Sequence, residues 1–193
     1  PLTPADGHCR CFWLRHRPRR APCARWHRAS NVIDAGWLRV TRRSFHHERG
    51  LHAGGGARLE NTALQTTDPP QLSDALVAVS FPPHVDCESL AVADFLSIVP
   101  HVHSVRRTGS TAINLAYLAA GRLDGFWVRR IACWDVAAGL LIAAEAGAVV
   151  VPCRHPDDSC EPPAQATVSL DRPAFVAAAN QRVATGLHDL LTG

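Results

Sequence analysis

The sequence predicts an α/β protein in which helices cover a layered sheet. From about Gly54 onward, short apolar runs alternate with longer helical stretches, the pattern of strands and helices stacked around one core. The chain is also long enough, at 193 residues and 47% hydrophobic, to bury a core without disulfides or metals. No run approaches the roughly 18 apolar residues a membrane-spanning helix needs, so no such helix is expected.

The elements follow in order. Ala75–Phe81 (ALVAVSF) is a buried strand ended by Pro82-Pro83, and Ser89–Val99 is a helix that Pro100 stops. Val102–Arg106 is a short strand followed by the polar turn Thr108-Gly109-Ser110-Thr111. Ala112–Ala120 is a helix, with Gly121 placed for the left-handed residue past its end. Leu123–Val128 is a strand. Asp135–Ala146 is a helix whose only charges are its first residue and Glu145, so it is buried on nearly every face. Ala148–Val151 is the strand after the Gly147 turn, and residues 152–165, with four prolines, form a loop. Val168–Leu170 and Phe175–Ala178 read as strands, and Asn180 caps a last helix ending near Leu191.

Residues 1–50 are different in kind. They hold 11 Arg against Asp6, Asp34 and Glu48, a balance of +8, whereas residues 51–193 hold 9 Arg against 14 acids, a balance of −5. The overall +3 is a sum over unlike segments. The run CRCFWLRHRPRRAPCARWHR keeps no period of 2 or 3.6, so it writes no amphipathic element and is expected to be disordered. The chain contains neither Lys nor Met. Arg, Pro, Cys, Trp and His in bulk without Lys is what a GC-rich gene yields when read out of frame, and an incomplete chain is expected. Two functional readings compete with that one. The first is an Arg-rich arm on nucleic acid with Trp13 and Trp26 as stacking platforms. The second is a metal site at Cys9, Cys11, Cys23 and His27, for which Cys-x-Cys without a matched second pair is thin support.

Chemistry concentrates in an ordered series: Gly109-Ser110-Thr111-Ala112, then LAYLAAGRLDGFW, then Cys133-Trp134-Asp135-Val136-Ala137-Ala138-Gly139, then Glu145-Ala146-Gly147. This series resembles the C-terminal half of the inositol monophosphatase family. GGGARLENTALQTT resembles the family's hairpin before its central crossover, LSDALVAVSFPP the strand after it, and FVAAANQRVATGLHDLL the closing strand and helix. The resemblance covers residues 51–193 and divides the chain into that portion and the Arg-rich segment 1–50.

The resemblance implies the C-terminal portion of a layered α-β-α-β-α fold and a Mg²⁺-dependent phosphomonoesterase acting on inositol 1-phosphate or a similar small phosphate. It implies a cytoplasmic protein, a homodimer, and no membrane or nucleic-acid partner. Asp135 matches the family's metal-binding aspartate at a helix start; read by itself, an Asp there is an N-cap. Gly109, Ser110 and Thr111 match the substrate-contact turn, where helix-start amides suit an anion, and the same residues read equally as a capping turn. The family's substrate-contacting acid falls at Val128, which cannot do that work. Arg129 and Arg130 beside it are expected to favour a more anionic substrate. The family's upstream Asp-Pro-x-Asp-Gly-Thr motif is not intact; Thr3-Pro4-Ala5-Asp6-Gly7-His8 keeps an echo, with Asp6 as the remnant ligand. One carboxylate cannot assemble a multi-metal site, so the chain is expected to lack useful phosphatase activity. An exposed apolar surface is expected where the missing half would pack.

His101 and His103 read as surface residues. Cys87, Cys133, Cys153 and Cys160 follow no metal spacing, and without a visible secretory signal they read as reduced thiols.

Overall fold

The computed structural model describes residues 56–59, 62–82, 84–155, 158 and 167–193 in full, together with the strand backbone of Trp26–His27 (β1), Val32–Ile33 (β2), Trp37–Val40 (β3) and Arg43–His47 (β4). Asp6, Trp13 and the Cys9, Cys11 and Cys23 group lie outside the described residues, as does the side chain of His27. β3 and β4 pair antiparallel, and β4 continues onto Ala57–Leu59 (β5), which turns into Thr62–Ala63 (β6). The expected hairpin is therefore present. Cross-strand backbone pairing gives regular structure to a segment such as RSFHH, which carries no side-chain period of its own.

The second sheet holds Leu76–Val79 (β7), Ser104–Arg106 (β8), Gly125–Val128 (β9), Val149–Pro152 (β10) and Phe175–Ala178 (β11), in the order β10-β11-β9-β7-β8. β7 is parallel to both β8 and β9, while β11 lies antiparallel between β9 and β10. Four helices complete the described fold: Leu90–Ile98 (α1), Thr111–Ala119 (α2), Cys133–Glu145 (α3) and Gln181–Thr192 (α4). Val168–Leu170, expected as a strand, is irregular; three apolar-polar residues beside Pro173 carry too little pattern to hold an edge.

Period-2 alternation sorts the side chains of the large sheet. Phe126, Val128, Phe175 and Ala177 join α2 and α3 in one buried cluster, whereas Val77, Val79, Trp127, Val176 and Ala178 join α4 and Ile98 of α1 in another. Ala57, Leu59 and Leu64 reach the first cluster from the small sheet. The helix pair α2/α3 is thus sandwiched between two sheets, and the described residues stack as α-β-α-β. Close packing within the pair depends on Gly139, where a Cβ would lie 2.8 Å from the Cβ of Leu115.

The helix ends match the sequence signals. Gly121 (φ +64) and Gly147 (φ +97) follow α2 and α3. Beyond each, a paired bond set, Arg122 N–H to Tyr117 and Gly121 N–H to Leu118, or Ala148 N–H to Ala143 and Gly147 N–H to Ala144, closes the helix. Ser110 accepts from the Ile113 N–H at 3.4 Å, and Asn180 accepts from the Val183 N–H at 2.9 Å while donating to Asp68 and the Pro69 carbonyl. Asn180→Ala should therefore cost about 1–2 kcal/mol and Ser110→Ala about 0.5–1 kcal/mol in urea unfolding; the reverse order would show that cap geometry does not set these costs.

The link between the two sheets is pinned rather than slack. The Thr66 N–H donates to the Ala146 carbonyl and its hydroxyl to that of Ala179, while the Thr67 hydroxyl donates to Asp124, whose other oxygen takes the Leu76 N–H at 2.7 Å. Glu145, the acid of the Glu-Ala-Gly triplet, accepts from the Gly56 N–H at 2.9 Å and so ties the end of α3 to the small sheet. Val85, Leu96, Val99 and Trp134 are large apolar side chains left exposed.

Candidate functional site

Strands β7, β8 and β9 run parallel, so their C-terminal ends meet at one edge of the sheet. α2 leaves that edge after β8, and α3 leaves it after β9. Connectivity thus brings the N-termini of both helices to the edge where open α/β sheets hold ligands. Ser80, one residue past β7, joins them through its hydroxyl, 2.9 Å from that of Thr111.

Of the residues singled out in sequence, Gly109, Ser110 and Thr111 form the start of α2. Gly109 has φ +80, which permits the turn; Ser110 is the N-cap, and Thr111 is buried against Ser80. The capping reading holds for Ser110. The turn is further braced by the Thr108 hydroxyl, which accepts from the Ser110 N–H at 3.3 Å and lies 2.7 Å from the Asn114 amide oxygen.

Asp135 is not an N-cap. Ala132 occupies that position, and Asp135 is the third residue of α3, in the first turn. Desolvation by partial burial holds its carboxyl above the ordinary carboxylate value. A group whose folded pKa is raised binds more protons folded than unfolded, so its contribution to stability is full at low pH and is lost as pH rises through the folded pKa. Asp135→Asn should remove that slope. In melts of the metal-free protein across the acid range where carboxylates titrate, from about pH 3 to 6, the Tm of the variant should gain on the parent as pH rises. A constant difference would contradict the desolvation assignment.

Val128 is 1% exposed and packed in the core between the large sheet and α2/α3. Arg129 corrects an expectation: it does not face a substrate. It is buried on the opposite face and forms a two-point ion pair with Asp94 of α1. Arg130 is exposed. Among the described residues, no group of three or more His, Cys, Asp or Glu could hold a metal ion. Asp135 fits Mg²⁺ as one hard oxygen ligand; the described residues do not complete a centre around it. His101 and His103 are exposed, as expected; Cys87 and Cys133 are free thiols, and Cys160 lies outside the described residues.

The decisive comparison is with protein families. Residues 45–191 match the inositol monophosphatase family. The chain belongs to that family. The family match begins ahead of residue 51 and takes in part of β4. An inositol-1-monophosphatase of Rhizobium meliloti is 42% identical over 96 residues, covering 49% of this chain and 36% of that protein. A protein named Nus factor SuhB from Vibrio cholerae is 41% identical over 98 residues, covering 50% of this chain and 37% of that one. The solved structure of Mycobacterium tuberculosis SuhB superposes with a TM-score of 0.67 at 32% identity, covering 84% of this chain and 60% of that one. The chain therefore aligns with a little over a third of the length of these curated relatives.

Family membership sharpens what sequence reasoning missed. Ser80 follows an apolar strand without a motif of its own, and only the fold brings it to Thr111. Asp124 lies inside the inositol monophosphatase-like series, yet its role is to anchor the crossover between sheets, which no local pattern encodes.

Proposed function

We propose that this chain contributes part of the site of a Mg²⁺-dependent phosphomonoester hydrolase acting on inositol 1-phosphate or a similar small phosphate. The observation that carries the reading is the meeting of the α2 and α3 N-termini at the C-terminal edge of β7–β9, with the Asp135 carboxylate in the first turn of α3. Asp135 is assigned as a metal ligand, and Gly109, Ser110 and Thr111 as the substrate wall. When bound, Mg²⁺ would polarise the phosphate and activate a water for in-line attack. The half-buried Asp135 carboxylate supplies hard oxygen for such an ion, and the amides opening α2 supply donors for an anionic ester. Cys87 and Cys133, free thiols among the described residues, suit a reducing compartment such as the cytoplasm.

Asp135 alone does not assemble a multi-metal site, so the 193-residue chain is expected to bind divalent metal weakly and to release no phosphate from inositol 1-phosphate. Mn²⁺ titration followed by proton relaxation should show binding that Asp135→Asn abolishes. Equal Mn²⁺ binding by parent and variant would overturn the metal role. Mg²⁺-dependent phosphate release that Asp135→Asn eliminates would overturn the expected inactivity.

A second reading rests on the +8 balance of residues 1–50: a non-catalytic member of the fold whose basic arm binds nucleic acid or an acidic partner. It requires steeply salt-dependent binding that disappears when residues 1–50 are removed. No binding at low salt would end it.

A further inference from the structure

We infer that Arg129 is the positioning residue of the corner between β9 and α3, the corner from which Asp135 projects. Arg129 is the first residue after β9, and its side chain leaves on the α1/α4 face of the sheet. There its Nε and Nη2 donate to the two oxygens of Asp94 at 2.8 and 3.0 Å, its Nη1 donates to the Arg154 carbonyl at 3.0 Å, and its Nη2 also donates to the Leu191 carbonyl. Both side chains of the ion pair are only 4% exposed.

These partners come from three separate segments that converge on the same edge as the candidate site. β10 runs parallel to β9, since both are antiparallel to β11, so Arg154 follows its C-terminal end at that edge. α4 starts after the antiparallel β11 and therefore ends there, presenting Leu191 in its last turn, where a guanidinium suits the free carbonyls. Asp94 comes from α1, which follows β7. The edge thus has two sides: the helix starts of the candidate site on one, and a guanidinium tied to α1, α4 and the segment after β10 on the other. Only residues 130–132 separate Arg129 from the first residue of α3.

A buried ion pair is a poor way to gain net stability, because desolvation consumes most of the attraction. What the planar fork adds is direction: four donor–acceptor contacts fix the guanidinium in position and in plane. The backbone beside it is held as well, with the Val128 carbonyl 3.8 Å from the Cys153 thiol. The strand end is consequently fixed from behind while α3 departs in front, and the orientation of the first turn of α3 follows from it. Glue alone would be met equally well by an apolar pair of the same volume, and that difference can be measured.

This inference takes its functional meaning from the proposed metal role of Asp135, but its test does not depend on metal. The full chain carrying Asp94→Leu with Arg129→Met should keep the amide exchange protection of β7 and β9, while the amides of Asp135, Val136 and Ala137 lose about tenfold or more and the Trp134 indole resonance shifts. Arg129→Lys, which keeps the charge and loses the fork, should give a smaller loss at the same amides; it carries the test if the double variant does not fold. Unchanged protection at 135–137 in a variant that keeps its core protection would overturn the inference. Failure of the metal reading would appear separately, as Asp135→Asn leaving Mn²⁺ binding intact.

Discussion

Phe126→Ala should destabilise the protein by about 3–5 kcal/mol, the range for removing a fully buried aromatic ring. Phe126 lies on β9 with no exposed surface, and its ring meets that of Phe175 on the neighbouring β11 edge to face, with centroids 5.9 Å apart. Both rings belong to the cluster that fills the space between the large sheet and α2/α3. The cavity would therefore open at the centre of the layer stack, where neither a sheet nor a helix pair packed on both faces can move in to fill it. In a chain of this size the loss corresponds to roughly 6–20 °C in Tm. Paired urea and thermal unfolding would measure it, and a cost below about 1 kcal/mol would mean that this cluster is not the core.

Arg129→Met should cost a similar amount, about 3–5 kcal/mol, for an unrelated reason. The substitution is close in volume, so little packing is lost. It leaves the Asp94 carboxylate, 4% exposed, without its guanidinium, and it strips the Leu191 and Arg154 carbonyls of the same donor. Adding Asp94→Leu should restore most of the loss, because removing both members of a buried pair is far cheaper than removing one. A double-mutant cycle on equilibrium unfolding measures the coupling directly. Independent, additive effects at the two positions would contradict the buried pair.

The order of these effects shows what sequence could and could not reveal. Features fixed within a few residues were legible: Ser110 and Asn180 as helix starts, Gly121 and Gly147 as helix ends, and α3 as a helix buried on most faces. Each depends on local backbone geometry or on one short period. The start of α3 was misplaced by two residues, because an aspartate early in a helix suits the first turn as well as the cap. The sequence leads one to expect Arg129 to favour a more anionic substrate. Its alternation relative to Val128 does place it on the other face of the sheet, but its partner Asp94 is 35 residues away, and no pattern announces that pairing. The strands of residues 37–47 were missed because their order comes from pairing with β5 rather than from their own side chains. For the proposed site, Asp135 and Gly109–Thr111 come from the sequence series, and the fold adds Ser80 as the hydroxyl against Thr111.

The antiparallel β11 has a consequence for how the chain is made. Among the described residues β10 pairs with β11 alone, and β9 has a bare side until β11 occupies it. A ribosome that has delivered α3 and β10 has therefore delivered a sheet with a gap one strand wide. Fluctuating hydrogen-bonding edges flank that gap until residues 175–178 clear the exit tunnel. Such a gap is filled only by a contact distant in sequence, the kind that slows folding and leaves intermediates open to aggregation. Translation pauses or truncations just ahead of Phe175 should therefore be the most damaging interruptions in the second half of this chain, although they spare every residue of the candidate site.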